Sequence, residues 1–440
     1  MISRAIAILL AAAVPAVLSG GPSYAAETDT VVVKVAPYPD NYKPDGMWAG
    51  LYVSEAGRVY SGLCTHGGSA LFYEYDPATG INRLVADIGV FVGDNGTGER
   101  TQAKIHTRFA EDGSGRICFA TGNQGAGPGR IDPSTYYDKG SHLMRYTPST
   151  GILEDLGQVN PHFGSYGLVI DRERNLAYLS CFNNHIYQFD LASRVSRDLG
   201  RVSNWDINRM IALDGEGNLY GTSQNHWIWK YDIAADRLVE LPLQIPHDKT
   251  IRLAYHRGRP ALDRRQNWRY VEWDPVSEKI YGIECGRSLL FEFDPGAGQS
   301  GSTRLVADMA LDVHRAEHRF PYATLAVGMV PGKALYYGIV NRSFDYSAVD
   351  QETQAETRTF LKRCDLATGR VDDLGMVFID DGRLVLGMGA CEVADDGRVY
   401  FCGAIEEHDA DKVAGKAAGA DPYSLQLFYW DPPEQLRVRK

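Results

Sequence analysis

The feature that most constrains the fold is an internal repeat. A stretch of the form Gly-Arg-Val-Tyr starts at Gly57. Related stretches start at Gly115, Arg174, Gly217, Glu278, Lys333 and Gly397, at spacings of 58, 59, 43, 61, 55 and 64 residues. Each copy keeps one internal order. An alternating run leads into a turn, as in Ile105–Ala110 before Glu111-Asp112-Gly113, or Met210–Leu213 before Asp214-Gly215. A β-rich run follows, then a loop of variable length, then a run that ends in Asp, such as Leu71–Asp76 or His185–Asp190. A short fourth run ends in Asp-Leu-Gly at Asp155–Gly157, Asp198–Gly200 and Asp373–Gly375.

Four short strands per unit, period-2 patterning and Gly/Asp turns predict an all-β fold, a seven-bladed β-propeller of four-stranded antiparallel blades. One unit cannot bury both faces of its sheet, whereas seven stacked around an axis can, and only short edges remain. The N-terminal run Thr30–Val35 has no blade of its own and is expected to pair with the last blade, closing the ring. Seven periods over this length argue against a single β-sandwich. Composition agrees: 25 Tyr and 11% aromatics lean towards strands, and 44% hydrophobic with 23% charged residues exclude a disordered chain. The net charge of −11 excludes a global nucleic-acid role, which needs a basic surface.

Residues 1–25 read as a secretory signal. Arg4 supplies the basic start, Ala5 to Leu18 is an apolar run too short to span a bilayer, and Ser23-Tyr24-Ala25 places small residues around a cleavage point. A signal anchor is the alternative. Cleavage leaves residues 26–440 as one propeller domain, expected to be secreted or periplasmic, soluble, free of the membrane and monomeric. Seven cysteines in an oxidising compartment leave at least one thiol unpaired. They read as small buried hydrophobes with room for one disulfide of unassigned pairing.

In a propeller, loops joining second to third strands open on the same face as the segments leading into the next blade. Ligands usually bind at that mouth. The sequence places His66, Gln124, His142, His226 and Arg287 in or beside the former, and His106, His162, Tyr166, Arg209, Arg252, Arg269, Tyr270 and Arg319 in the latter. Most of the 11 histidines fall on this face. The stretch His247–Arg269 carries seven Lys and Arg against Asp248 and Asp263, and local positive potential concentrates an anionic ligand even on an acidic protein. A solvated loop with its arginines paired to acids is the other reading of that stretch.

No GxSxG, HExxH, EF-hand or P-loop motif occurs. A His/Tyr/Arg set suits β-elimination from a uronic acid. The base removes the C5 proton, a cation neutralises the charge that builds on the carboxylate, and an acid reaches the leaving O4. Arginine, protonated histidine or a divalent metal can be the cation, although no ligand spacing supports a metal cluster and no cofactor is called for.

The seven-blade layout, the Lys104-Ile105-His106-Thr107 segment and the Gly140-Ser141-His142-Leu143 strand start resemble secreted β-propeller polysaccharide lyases. These are the ulvan and rhamnosyl-glucuronate lyases, with the related propeller rhamnosidases and, more distantly, oligogalacturonate lyases. The likeness is one of architecture over most of residues 45–435, carried by short motifs. It implies paired histidines with Tyr or Arg at the mouth, either His66 with His106 or His142 with His162. The expectation is therefore a lyase cleaving an acidic polysaccharide or oligosaccharide next to a uronic acid. In it His66, His106, His142, His162, Tyr166 and Arg209 are the catalytic candidates. Gln124, His226, Arg252, Arg269, Tyr270, Arg287 and Arg319 are the substrate-binding ones. A hydrolase of rhamnosyl-uronate linkages and a non-catalytic binding propeller are the alternatives.

Overall fold

The computed structural model describes residues 29–39, 44, 46–65, 68–93, 102–122, 140–203, 209–248, 254–256, 259–261, 267–316, 326–341, 357–406 and 423–440. The expected signal segment and four site candidates, His66, Gln124, Arg252 and Arg319, lie outside them. Five four-stranded antiparallel sheets and one eight-stranded sheet account for the repeats. The eight-stranded sheet is one four-stranded unit and a second whose rim strand is the N-terminal strand, which pairs with both, so seven four-stranded units follow one another among the described residues.

The third blade shows the pattern: Ser165–Asp171 nearest the axis, then Leu176–Cys181, His185–Asp190 and Val195–Arg201 at the rim. Burial falls outward along it, from the second strand, buried at five of six positions, to a rim strand with none. Both faces of a second strand meet neighbouring blades, whereas the rim meets water. Turns between first and second strands are built on aspartates. Asp112 Oδ1 accepts from the backbone N–H of Ser114 at 2.8 Å and of Arg116 at 3.1 Å, and Asp214 serves Glu216 and Asn218 in the same way. These local turns are why the Asp/Gly repeats were readable in the sequence.

Seven hydrophobic clusters fill the interfaces, one for each pair of adjacent blades. The last of them closes the ring: Leu51, Leu63 and Leu71 of blade 1 pack with Leu386, Cys402 and Leu427 of blade 7. The N-terminal strand Thr30–Ala36 pairs antiparallel with the third strand of blade 7, Tyr423–Trp430, as expected. It also pairs in parallel with Val371–Ile379, the rim strand of blade 6, which the sequence did not suggest.

Other departures are local. The alternating run Ile105–Ala110 forms a strand only at Ala110–Glu111, preceded by a single bridge between Lys104 and Gly122. The run Met210–Leu213 pairs only at Ala212–Leu213. A small hairpin, Ala254–His256 with Arg259–Ala261, is inserted ahead of blade 5 where a loop was expected. Short helices Ile88–Phe91 and Asp312–Ala316 lie in connections between blades. All seven cysteines are buried and free, so the structure contains no disulfide. No helix among the described residues is long and apolar enough to cross a membrane.

Candidate functional site

The innermost strands run from the mouth towards the opposite face, so residues at their starts gather around the axis. Trp48, Ala49, His106, Tyr166, Arg209, Met210 and Arg269 line one narrow recess there. They come from the segments leading into blades 1 to 5. Four of the expected site residues, His106, Tyr166, Arg209 and Arg269, therefore meet in one place.

His106 is held by its neighbours in sequence. Ile105 is buried in the cluster between blades 1 and 2. Thr107 Oγ1 donates to the Ala120 carbonyl and accepts from the Ala120 N–H at 3.0 Å, while Lys104 and Gly122 exchange backbone hydrogen bonds. The imidazole is 7% exposed, stacked on Trp48 at 5.3 Å and met edge-on by the Tyr166 ring at 4.7 Å. Tyr166, 5% exposed, packs at 3.8 Å on Phe182 and lies under the Arg209 guanidinium at 4.9 Å. Lys104 sits 5.6 Å over the Trp48 ring. Aromatic faces attract cations, so the rings hold positive charge at the site without neutralising it.

Tyr166 and Arg269 reach the axis by the same device. In blade 3 the pairing skips from Ser165–Cys181 to Gly167–Ser180, and in blade 5 from Trp268–Glu284 to Tyr270–Ile283. Each skip is a β-bulge whose extra residue is the one aimed into the recess. Arg209 is placed through its backbone: its carbonyl accepts from Ser180 Oγ at 2.7 Å, and the Met210 carbonyl accepts from Trp268 Nε1 at 2.8 Å. A Cβ at residue 167 would lie 2.5 Å from the Arg209 carbonyl oxygen, so only glycine at position 167 permits this approach.

The remaining described candidates lie elsewhere. His142 Nδ1 is bonded to Asp155 at 2.8 Å on the outer half of blade 2, and His185 repeats that arrangement with Asp198 in blade 3. A repeated His–Asp pair is part of the blade, and it does not join His142 to the recess. His162 is exposed on the connection between blades 2 and 3, with its N–H donating to Asn160 Oδ1. Tyr270 is 1% exposed and donates to Glu272 at 2.5 Å, because the bulge that turns Arg269 inward sends Tyr270 into the core. Burial and the Glu272 charge push its hydroxyl far above the usual tyrosine range. His226 lies 3.4 Å from Glu284 and stacks on His247 at 4.1 Å. Arg287 faces Asp248 at 3.6 Å. The last two form a mouth-side cluster apart from the residues lining the recess.

Trp48, Ala49 and Met210 were not picked out from the sequence. Trp48 occupies in blade 1 the position that His106 occupies in blade 2, so applying the blade lead-in rule to the first repeat would have found it. Among the described residues no group of three or more His, Cys, Asp or Glu is arranged to hold a metal ion. Arg209 and Arg269 are the arginines among the residues lining the recess.

No protein-family model matches the chain, and no curated protein matches it in sequence. Solved structures match it in fold, and the class they define is the β-propeller. A virginiamycin B lyase from Staphylococcus aureus, a catalytically inactive histidine-to-alanine variant with quinupristin, superposes with a TM-score of 0.52 at 11% identity, over 90% of this chain and 98% of that one. The WD40 repeats of RRP9 superpose at 0.53 and 8% identity, over 92% and 99%. The propeller domain of Myceliophteria thermophila Cps50 (Swd1) gives 0.53 and 8%, over 90% and 99%. At these identities the likeness establishes the propeller architecture.

Proposed function

We propose that this protein is an exported propeller lyase that cleaves an acidic glycan next to a uronic acid. One observation carries the reading: His106, Tyr166, Arg209 and Arg269 converge from four blades on one axial recess. Elimination needs those roles together. His106 takes the C5 proton, Arg209 and Arg269 neutralise the carboxylate as charge builds on it, and the Tyr166 hydroxyl supplies the proton to the leaving O4. Arginine's planar fork suits a carboxylate. The seven lining residues include no carboxylate, whereas glycoside hydrolysis ordinarily uses two. The lyase among the propellers similar to this chain is described as inactive in a histidine-to-alanine variant, which is consistent with a propeller placing an essential histidine.

The test is ultraviolet absorbance during digestion of uronate glycans, since elimination creates a conjugated chromophore. The wild type should show rising absorbance, and His106→Ala should lower its rate by about 10²–10⁴-fold. New reducing ends without absorbance would replace elimination with hydrolysis.

A further inference from the structure

We infer that the axial recess is a binding site for a halide-sized anion. The recess has space for about one water molecule, and a chloride ion is only slightly larger. A sulfate, a phosphate or a sugar ring is too large for it. Arg209 and Arg269 line the recess with the His106 imidazole, and none of the seven lining residues is a carboxylate. The Arg209 guanidinium rests on the Tyr166 ring and, among the described residues, forms no ion pair. Acids of the innermost strands are engaged elsewhere. Glu272 of blade 5 and Glu392 of blade 7 both bond Arg108 of blade 2, and Tyr270 donates to Glu272.

Burial raises the cost of that positive charge. His106 and Arg269 are each 7% exposed, and Tyr166 is 5% exposed. A cation drawn into so enclosed a place is unfavourable unless an opposite charge joins it. The side chains lining the recess bring none, and a halide does. Such an ion needs N–H donors and walls that exclude water. The recess has both: guanidiniums from the lead-ins of blades 4 and 5, and the side chains of Trp48, Ala49 and Met210. Attraction between opposite charges is stronger there than in open solvent. The eliminative reading sets a uronate carboxylate against the same guanidiniums, so on that reading the two anions compete. The halide site does not rest on it.

The experiment uses the full-length protein dialysed free of chloride into sodium methanesulfonate at constant ionic strength. Chlorine NMR then follows the line width of added chloride, which a bound fraction broadens. The expected result is excess width that bromide removes along a saturation curve. Arg209→Gln should weaken that curve roughly tenfold or more, and Arg209→Lys, which keeps the charge, should restore most of it. Melting temperatures verify that each variant is folded. Arg370→Gln removes the same charge from an exposed turn of blade 6 and should leave the curve unchanged. Absent broadening, broadening that bromide does not saturate, or equal effects of Arg209→Gln and Arg370→Gln would overturn the site and leave only diffuse attraction to basic side chains. None of these outcomes alters the absorbance test of elimination, so the two readings fail separately.

Discussion

At the scale of single residues, the site depends on positions that look unremarkable in the chain. Tyr166 has two roles that separate by mutation. Its ring packs on Phe182 and under Arg209, and its hydroxyl is the proposed acid. Tyr166→Phe keeps the ring contacts and removes the proton. Turnover on uronate glycans should fall by about 10²–10⁴-fold while the melting temperature stays within a few degrees of wild type. An equal loss of melting temperature and activity would assign Tyr166 to packing alone. His106 was legible as a lead-in residue because it precedes the innermost strand of a repeat whose phase was already known. Tyr270 was placed with its neighbour Arg269 among the substrate-binding candidates of the same blade lead-in. Adjacency misleads at a bulge, where one residue faces the channel and the next faces the core.

At the scale of elements, strands and turns followed from local sequence, and pairings between distant strands did not. The three Asp-Leu-Gly runs illustrate this. Gly157, Gly200 and Gly375 share a backbone φ of +120°, so alanine is strained at each. Around Gly157 nothing lies within 4 Å of an added Cβ, whereas at Gly375 it would lie 1.7 Å from the Asp29 carbonyl oxygen, where the N-terminal strand runs against blade 6. Gly157→Ala should cost roughly 1–3 kcal/mol of backbone strain. Gly375→Ala should cost more, because it also displaces the strand that joins blades 6 and 7. Thermal melts of the two variants check the order, and equal losses would mean that this strand contributes little to stability. The run Thr30–Val35 had announced itself as a spare strand. Its second partner, Val371–Ile379, could not be read, since parallel pairing between ends of the chain has no local signature.

At the scale of the whole molecule, charge is distributed so that acid weakens the fold. Hydrogen bonding and charge from Arg363 hold the Asp372 carboxyl below the usual range, and bonds from Thr368 do the same for Asp365. Burial pushes Glu292 upward, but Arg304 and Lys279 outweigh it and leave it depressed. The folded state binds these protons less tightly than the unfolded chain. Their stabilisation is therefore complete above the ordinary carboxylate pKa of about 4 and drains as pH falls through it. Glu392 acts in the opposite sense, because burial, reinforced by Glu272, raises it despite the opposing charge of Arg108. The depressed carboxyls outnumber it. The melting temperature should be level above about pH 5 and fall below about pH 4. A rise on acidification would show that Glu392 dominates.

The sequence by itself determined the repeat, the blade order and the ring-closing strand. Those properties are periodic or local, and Asp/Gly turns with alternating apolar residues encode them directly. Only the tertiary structure decided which of those groups share a recess, because two bulges and the close approach at Gly167 select Tyr166, Arg269 and Arg209. It alone placed Arg108, Glu272 and Glu392 across the axis, since contacts among blades 2, 5 and 7 exist only once the ring is closed.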